Sequence, residues 1–235
     1  MNTYDMLGNC SVATISTALY KRGLRNQVVQ DVHPLGGRRA RNMVGPAYTL
    51  RYIPAREDLN PLSVFQNRDH PQRKAVEVCP AGAVLVIDSR KDPRAASAGS
   101  ILITRLMHRG VAGVVTDGGF RDSPEIADLD FPAYHNRPSA PTNLTMHQAI
   151  DLNVPIGCGD VAVWPGDIVV GDAEAVIVIP YSIADEVAAE AHQMTVFEDF
   201  VTEKVREGRS IVGLYPLTDP QIEAEFEASR GRASR

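Results

Sequence analysis

The chain has 235 residues, is 44% hydrophobic and 23% charged, and carries a formal net charge of −5 at pH 7. That length suffices to bury a substantial core in one α/β domain, and the negative balance argues against nucleic acid as the main partner, because phosphate binding needs a basic excess. No apolar run approaches membrane-spanning length, and residues 1–5 lack the charged and apolar regions of a secretory leader.

In chain order, Val12, Ile15, Ala18 and Leu19 share one face of a helix over residues 11–23, with Gly23 suited to its C-terminal cap. Residues 27–46 are rich in glycine and arginine and read as a loop. Residues 47–53 are rich in strand formers and partly alternate, which predicts a strand. Residues 58–73 hold several breakers and read as a long connection with a short helix. A turn at 79–82 leads into the apolar run 83–87, a central strand ending at Asp88. Within 101–109, Leu102 and Leu106, then Ile103 and Met107, pair at helical spacing, and Gly110 closes the helix. With the apolar run 112–115, the order from 83 to 116 forms one parallel βαβ unit.

Further strands are predicted over 131–135, 155–159, 161–164, 168–170 and 176–179, with turns at Pro165-Gly166-Asp167 and Gly171-Asp172. A long helix over 183–207 ends at Gly208, and the tail after Pro216 is expected to be mobile. The pattern predicts one α/β domain over residues 1–235 with a mixed sheet, not a doubly wound nucleotide fold, since no glycine-rich phosphate cradle occurs. Cys10, Cys79 and Cys158, an odd number at wide spacing, match neither a zinc pattern nor a disulfide framework. Reduced thiols and a cytoplasmic location are the expectation.

The chemistry is expected at Asp117-Gly118-Gly119-Phe120-Arg121-Asp122, followed by the helix start Ser123-Pro124-Glu125-Ile126. Glycines tolerate positive φ and let the backbone turn after the strand. Arg121 then offers a planar fork for a carboxylate, and Asp122 a hard oxygen for Mg²⁺ or Mn²⁺. A plain salt bridge or helix cap is the competing assignment.

The ordered set Gly45-Pro46-Ala47-Tyr48-Thr49, the block 99–122, Phe131-Pro132, the stretch 164–172 and Val176-Ile177-Val178-Ile179-Pro180 resembles the RraA-like family over residues 8–216. That family includes the regulators of ribonuclease activity A and the class II aldolases that cleave 4-hydroxy-4-methyl-2-oxoglutarate. The resemblance implies a β/β/α swivelling fold, assembled as a trimer or a dimer of trimers with sites at subunit interfaces. It implies that Arg121 binds substrate, that Asp122 ligates the divalent metal, and that the helix start Gly99-Ser100-Ile101-Leu102 presents N–H groups to a pyruvate carboxylate. The implied activity is that of a lyase on a 2-oxo acid, in which Mg²⁺ or Mn²⁺ stabilises an enolate as a C–C bond breaks, by retro-aldol cleavage or decarboxylation.

Active aldolases of the family carry an acid with twenty residues between it and the arginine; here that position is Ser100. Thr17 likewise stands where many relatives have an Asp. The second reading is a non-catalytic protein that docks on an RNA-processing enzyme. Glu198 and Glu203 on the last helix are candidates for an acid reaching a neighbouring subunit's site, and Glu125 for a partner of its own helix dipole. His108, His135 and His147 read as structural, with His135 closest to an exception because it ends a strand near the loop. Asp167 and Asp172 read as turn residues, and the basic cluster Lys21, Arg22, Arg25, Arg38, Arg39 and Arg41 as a solvated face or subunit contact.

Overall fold

A computed structural model describes residues 1–37 and 40–233, which leaves Arg38 and Arg39 of the basic cluster outside the described residues. Helices α1 (Thr3–Leu7) and α2 (Val12–Lys21) lead to β1 (His33–Leu35) and the long β2 (Met43–Pro54). A 3-10 turn (Leu62–Gln66) and α3 (Pro71–Val78) precede β3 (Val84–Asp88), β4 (Ala96–Ala98) and α4 (Ser100–His108). Next come β5 (Gly113–Thr116), β6 (Gly119–Phe120), α5 (Ser123–Ala127), β7 (Ala133–His135) and β8 (Arg137–Pro138). The chain closes with β9 (His147–Leu152), β10 (Ile156–Cys158), β11 (Val161–Val163), β12 (Ile168–Gly171), β13 (Val176–Ile179), α6 (Ala184–Arg206) and α7 (Pro220–Ala233). No helix of the described residues is long and apolar enough to cross a membrane.

The fold is α/β with a curled mixed sheet in the order β1-β7-β5-β3-β2-β12-β13. β3 lies directly beside β5, in parallel, with α4 between them in sequence, as the βαβ prediction requires. The twelve residues of β2 serve three partners. Residues 43–46 pair antiparallel with β12, 47–51 pair parallel with β3, and 50–54 pair antiparallel with β9 across a bulge at Arg51/Tyr52. Such a bulge bends a strand and increases its twist, which curls the sheet here.

Period-two alternation sorts the buried side chains into layers. Leu85 and Ile87 of β3 face a core under α3 and α4, while Val84 and Val86 face a second core with Val161, Val163 and Val178. Ile168, Val170, Ile177 and Ile179 turn the other way, against Leu19 of α2 and Val187 of α6. α2, α4 and α6 share one stop device. Gly23, Gly110 and Gly208 have φ of +81°, +74° and +91°. In each case the next residue's N–H bonds back over the last turn: Leu24 to Leu19 at 3.1 Å, Val111 to Leu106 at 3.2 Å, Arg209 to Lys204 at 3.0 Å.

Several expectations need correction. Residues 27–46 are not all loop: they contain β1 and the start of β2. β9 carries little strand propensity of its own and forms because the outer edge of β2 is open to it. The tail forms α7, whose Ile222 and Phe226 pack against Phe200, Phe197 and Leu214. Of the basic cluster, Lys21 and Arg22 pair with Glu190 of α6 and Arg41 pairs with Asp5, while Lys21, Arg25 and Arg41 remain exposed, as on a solvated face.

The loop after β5 hangs from Asp117, which is 1% exposed. Its Oδ1 accepts the Ser89 N–H at 2.6 Å, and its Oδ2 those of Lys91 at 3.0 Å and Gly159 at 3.1 Å. Burial pushes this carboxyl above its ordinary value, and the three donors act in the opposite sense. Beside it the hydroxyls of Ser89, Ser97 and Thr116 lie 2.7 to 3.1 Å from one another. Gly118 and Gly119 are not there for positive φ, which in this stretch falls on Asp122 instead, at +56°. They are there for space: a Cβ on Gly118 would lie 2.6 Å from Ser89 Cβ, and one on Gly119 2.5 Å from Ser139 Cβ. An Asp117→Ala variant leaves three buried N–H groups without their acceptor. We expect it to lose roughly 3 kcal/mol of stability, read from urea unfolding; an unchanged midpoint would refute the anchoring role.

Candidate active site

Parallel pairing of β4 with β6 brings two distant loops together. Ala98 accepts the Arg121 N–H at 3.1 Å, which sets Gly99, the N-cap of α4, against the Arg121–Asp122 pair. A Cβ on Gly99 would lie 2.7 Å from Arg121 Cγ and 2.9 Å from Asp122 Oδ2. Only glycine leaves room for the two side chains to pass.

Asp122 holds a left-handed backbone, φ +56° and ψ +40°, a conformation that aspartate tolerates better than most residues. It is the N-cap of α5 by position, yet its side chain makes no cap bond there. Instead Oδ2 accepts the Ser100 N–H at 3.2 Å and the Ser100 hydroxyl at 3.1 Å, so Asp122 caps α4 from outside that helix. Arg121 Nε lies 3.5 Å from Oδ1. Partial burial acts to raise the Asp122 pKa, but the Ser100 N–H, the Ser100 hydroxyl and the Arg121 charge outweigh it and hold the carboxyl below its ordinary value. The salt-bridge and helix-cap assignment is therefore part of the truth, and it concerns the site's own helix.

At the α4 start, the N–H groups of Leu102 and Ile103 turn back to Gly99 O at 3.1 and 3.2 Å. The Ile101 N–H finds no acceptor among the described residues. It belongs to the positive end of the helix, beside a cavity of about 440 Å³ whose lining includes Gly99, Ile101, Leu102, Arg121 and Asp122. The lining also includes Phe65, Gln72, Arg73 and Asn143, none of which the sequence singled out. No motif marks them; the only local signal was the proline-led start of α3, with Pro71 in its first turn.

The other predicted residues fall elsewhere. Glu125 is exposed in the first turn of α5 and does not line the cavity. Glu198 accepts the Thr14 hydroxyl at 2.7 Å beside a separate polar cavity, and Glu203 is exposed on α6. Thr17 is exposed and donates to Ala13 O of its own helix. His108 sits in the last turn of α4. His147 is buried, 3.1 Å from an Arg90 nitrogen and stacked on Tyr52. Asp167 accepts the N–H groups of Trp164 and Tyr181, as a turn residue does, but Asp172 goes further and its Oδ2 accepts the Val12 N–H at the start of α2.

The fold is α/β, and a helix start, an arginine and a carboxylate line one cavity. Comparison with known proteins is in accord: the family model described as Aldolase/RraA matches residues 12–178, and the chain belongs to the RraA-like family. A Halalkalibacterium halodurans protein named as a candidate 4-hydroxy-4-methyl-2-oxoglutarate aldolase is 36% identical over 118 residues, which are 50% of this chain and 56% of that one. Legionella pneumophila protein DlpA is 25% identical over 210 residues, 89% of this chain but 32% of DlpA. The chain thus spans about half or less of these two relatives. The structure of Streptomyces coelicolor RraAS2, described as an unusual member of the RNase ES inhibitor RraA protein family, superposes with a TM-score of 0.73 at 27% identity, covering 84% of this chain and 94% of that one.

Two outcomes follow from this geometry. Gly99→Ala should displace Arg121 and Asp122 and weaken binding of oxalate at least about tenfold, measured by calorimetry, whereas unchanged affinity would show that the crowding is unimportant. His135 is buried, stacked on Phe120 at 5.5 Å, and its pKa is lowered to about 4, first by burial and then by the nearby His33. The unfolded chain takes up that proton below about pH 6.5, so stability should fall as the pH drops from there toward 4. His135→Phe should remove roughly one proton's worth of that slope in urea titrations across the window.

Proposed function

We propose that the protein is a divalent-metal-dependent carbon–carbon lyase acting on a 2-oxo acid, either by retro-aldol cleavage that releases pyruvate or by decarboxylation of an oxaloacetate-like acid. The observation that carries this reading is the convergence of Arg121, Asp122 and the start of α4 on one cavity. The relatives named as aldolases support it.

The residues present fit Mg²⁺ or Mn²⁺ of a particular kind. Among the described residues no three His, Cys, Asp or Glu side chains gather to hold a metal. Mg²⁺ commonly needs only one or two carboxylates and completes its shell with water and substrate oxygens. Asp122 supplies one carboxylate on the cavity wall, with Oδ2 held by Ser100 and Oδ1 on the side of Arg121. When bound there, the ion supplies positive charge that polarises the substrate's keto oxygen.

The chain's own groups do the rest. The Ile101 N–H and the positive end of α4 receive the carboxylate of the 2-oxo acid. Arg121 faces the same cavity and offsets the negative charge that reaches the keto oxygen when the C3–C4 bond, or a carboxylate, departs. Ser100 acts as a positioning residue, because its hydroxyl and N–H are both engaged in holding Asp122. A retro-aldol step must also remove a proton from the 4-hydroxyl. Within one copy Asp122 is the only carboxylate lining the cavity among the described residues, and we assign the proton to a water molecule beside it. We read the assembly as a trimer or a dimer of trimers, in which Glu198 or Glu203 of a neighbouring copy reaches this cavity; light scattering measures the assembly.

The test is a calorimetric titration of Mg²⁺ or Mn²⁺ with pyruvate or oxalate present, on the wild type and on Asp122→Ala. Metal-dependent binding that weakens at least about tenfold in the variant is the expected outcome. No metal-dependent binding in either protein overturns the lyase. It would favour the second reading, a non-catalytic protein that binds an RNA-processing enzyme, for which Ser100 in place of an acid and the likeness to RraAS2 are the supporting observations.

A further inference from the structure

Ser97 is fully buried in β4, two residues before the N-cap of α4. The β4–β6 ladder skips it: Ala96 pairs with Gly119, and Ala98 with the very next residue, Phe120. An extra residue in one strand is left out of the ladder, and inside a protein its polar groups need other partners. The Ser97 carbonyl has two. It accepts the Tyr52 hydroxyl at 2.9 Å and the Gln72 amide nitrogen at 2.7 Å, and both donors are buried. The Ser97 hydroxyl in turn lies 2.7 Å from those of Ser89 and Thr116.

Two donors use both lone pairs of one carbonyl oxygen. They come from two elements, Tyr52 from β2 at its bulge and Gln72 from α3. The peptide unit from Ser97 to Ala98 is planar, so holding its oxygen fixes the plane. The next carbonyl, of Ala98, accepts the Arg121 N–H at 3.1 Å. The residue after it is Gly99, where the Arg121 and Asp122 side chains leave no room for a Cβ. A shift at Ser97 therefore passes within two residues to the start of α4 and the Arg121–Asp122 pair. Tyr52 does not itself line the cavity, and its ring stacks on His147 at 5.4 Å.

We propose that Tyr52 and Gln72 are positioning residues of the candidate site: holding one carbonyl from β2 and α3, they set where the start of α4 stands against Arg121 and Asp122. The inference rests on the lyase reading only for the ligand that the site takes. Both residues act through Ser97 and take no part in bond breaking. Because the two donors share one acceptor, loss of either leaves the carbonyl one bond, and loss of both leaves it buried with none. The effect of losing both should therefore exceed the product of the single effects.

Tyr52→Phe keeps the ring and deletes only the hydroxyl. Gln72→Leu deletes the donor together with the amide oxygen, which has no hydrogen-bond partner among the described residues. Tyr134→Phe is the control: it too removes a tyrosine hydroxyl bonded to a backbone carbonyl, Asp172 O at 2.9 Å, but neither residue lines this cavity. Oxalate binding with Mg²⁺ present would be measured by calorimetry, folding by urea midpoints, and local opening by hydrogen exchange at the Ser100 and Arg121 amides. Oxalate should bind about threefold more weakly in each single variant and at least about thirtyfold more weakly in the double. Tyr134→Phe should stay within about twofold at a comparable loss of stability. In the double variant both amides should exchange at least about tenfold faster relative to those of β3. Affinity that follows the urea midpoint in every variant, Tyr134→Phe included, or that is unchanged in Tyr52→Phe, makes these bonds merely structural and overturns the proposal. Should the double variant not fold, the two single variants decide in the same way. If the wild type binds no oxalate, the lyase reading falls and hydrogen exchange decides the positioning role: faster exchange at Ser100 and Arg121 upholds it, and unchanged exchange overturns it.

Discussion

A buried carboxylate holds together the loops around the candidate site. Asp117 receives N–H groups from the loop after β3 and from the turn between β10 and β11, while its own backbone leads from β5 into the site loop. Taking an ionised group out of water is costly, and here hydrogen bonds from three donors offset part of that cost. The gain is positional. From Asp117 the chain runs through Gly118 and Gly119, pressed so closely against Ser89, Ser97 and Ser139 that no side chain fits. Five residues after the anchor stands Asp122, and slack anywhere between would misplace it.

The same economy of space governs the site. Gly99 has no Cβ because Arg121 and Asp122 occupy that volume, and Asp122 adopts a left-handed backbone to bring its carboxylate over a helix that is not its own. One carboxylate thereby caps α4, orders Ser100 and stays available on the cavity wall. Such positional constraint belongs to sites whose geometry must be set before a ligand arrives.

Charge tells a similar story at two scales. The whole chain carries −5, which disfavours polyanions. The cavity has the opposite sense: two arginines, Arg73 and Arg121, and two helix starts face a single carboxylate. The pairing of Lys21 and Arg22 with Glu190 shows the complement, two cations answered by the chain's own helix.

Much of the fold was legible in the sequence because it depends on near neighbours. Apolar runs such as Val84–Asp88 and Val176–Ile179 are strands, and Gly23, Gly110 and Gly208 end their helices with the positive φ that glycine permits. The Arg121–Asp122 pair and the start of α4 were also legible, the first by its charge on a tight loop, the second by its glycine and helical spacing. What remained hidden depends on contacts between distant segments. β9 exists because β2 has an open edge, and β4, β6 and β8 are too short to carry a pattern of their own. The glycines at 118 and 119 answer to crowding by other segments, not to their own torsions. The rest of the cavity lining, with Arg73 and Asn143, joins residues that no spacing relates to Arg121. The sequence by itself determined the strand and helix units and marked the acid and cation of the candidate site, because these follow from local periodicity and backbone chemistry. Only the tertiary structure decided that a second helix start and a second arginine line the same cavity, because that requires the fold to bring together chain segments some fifty residues apart.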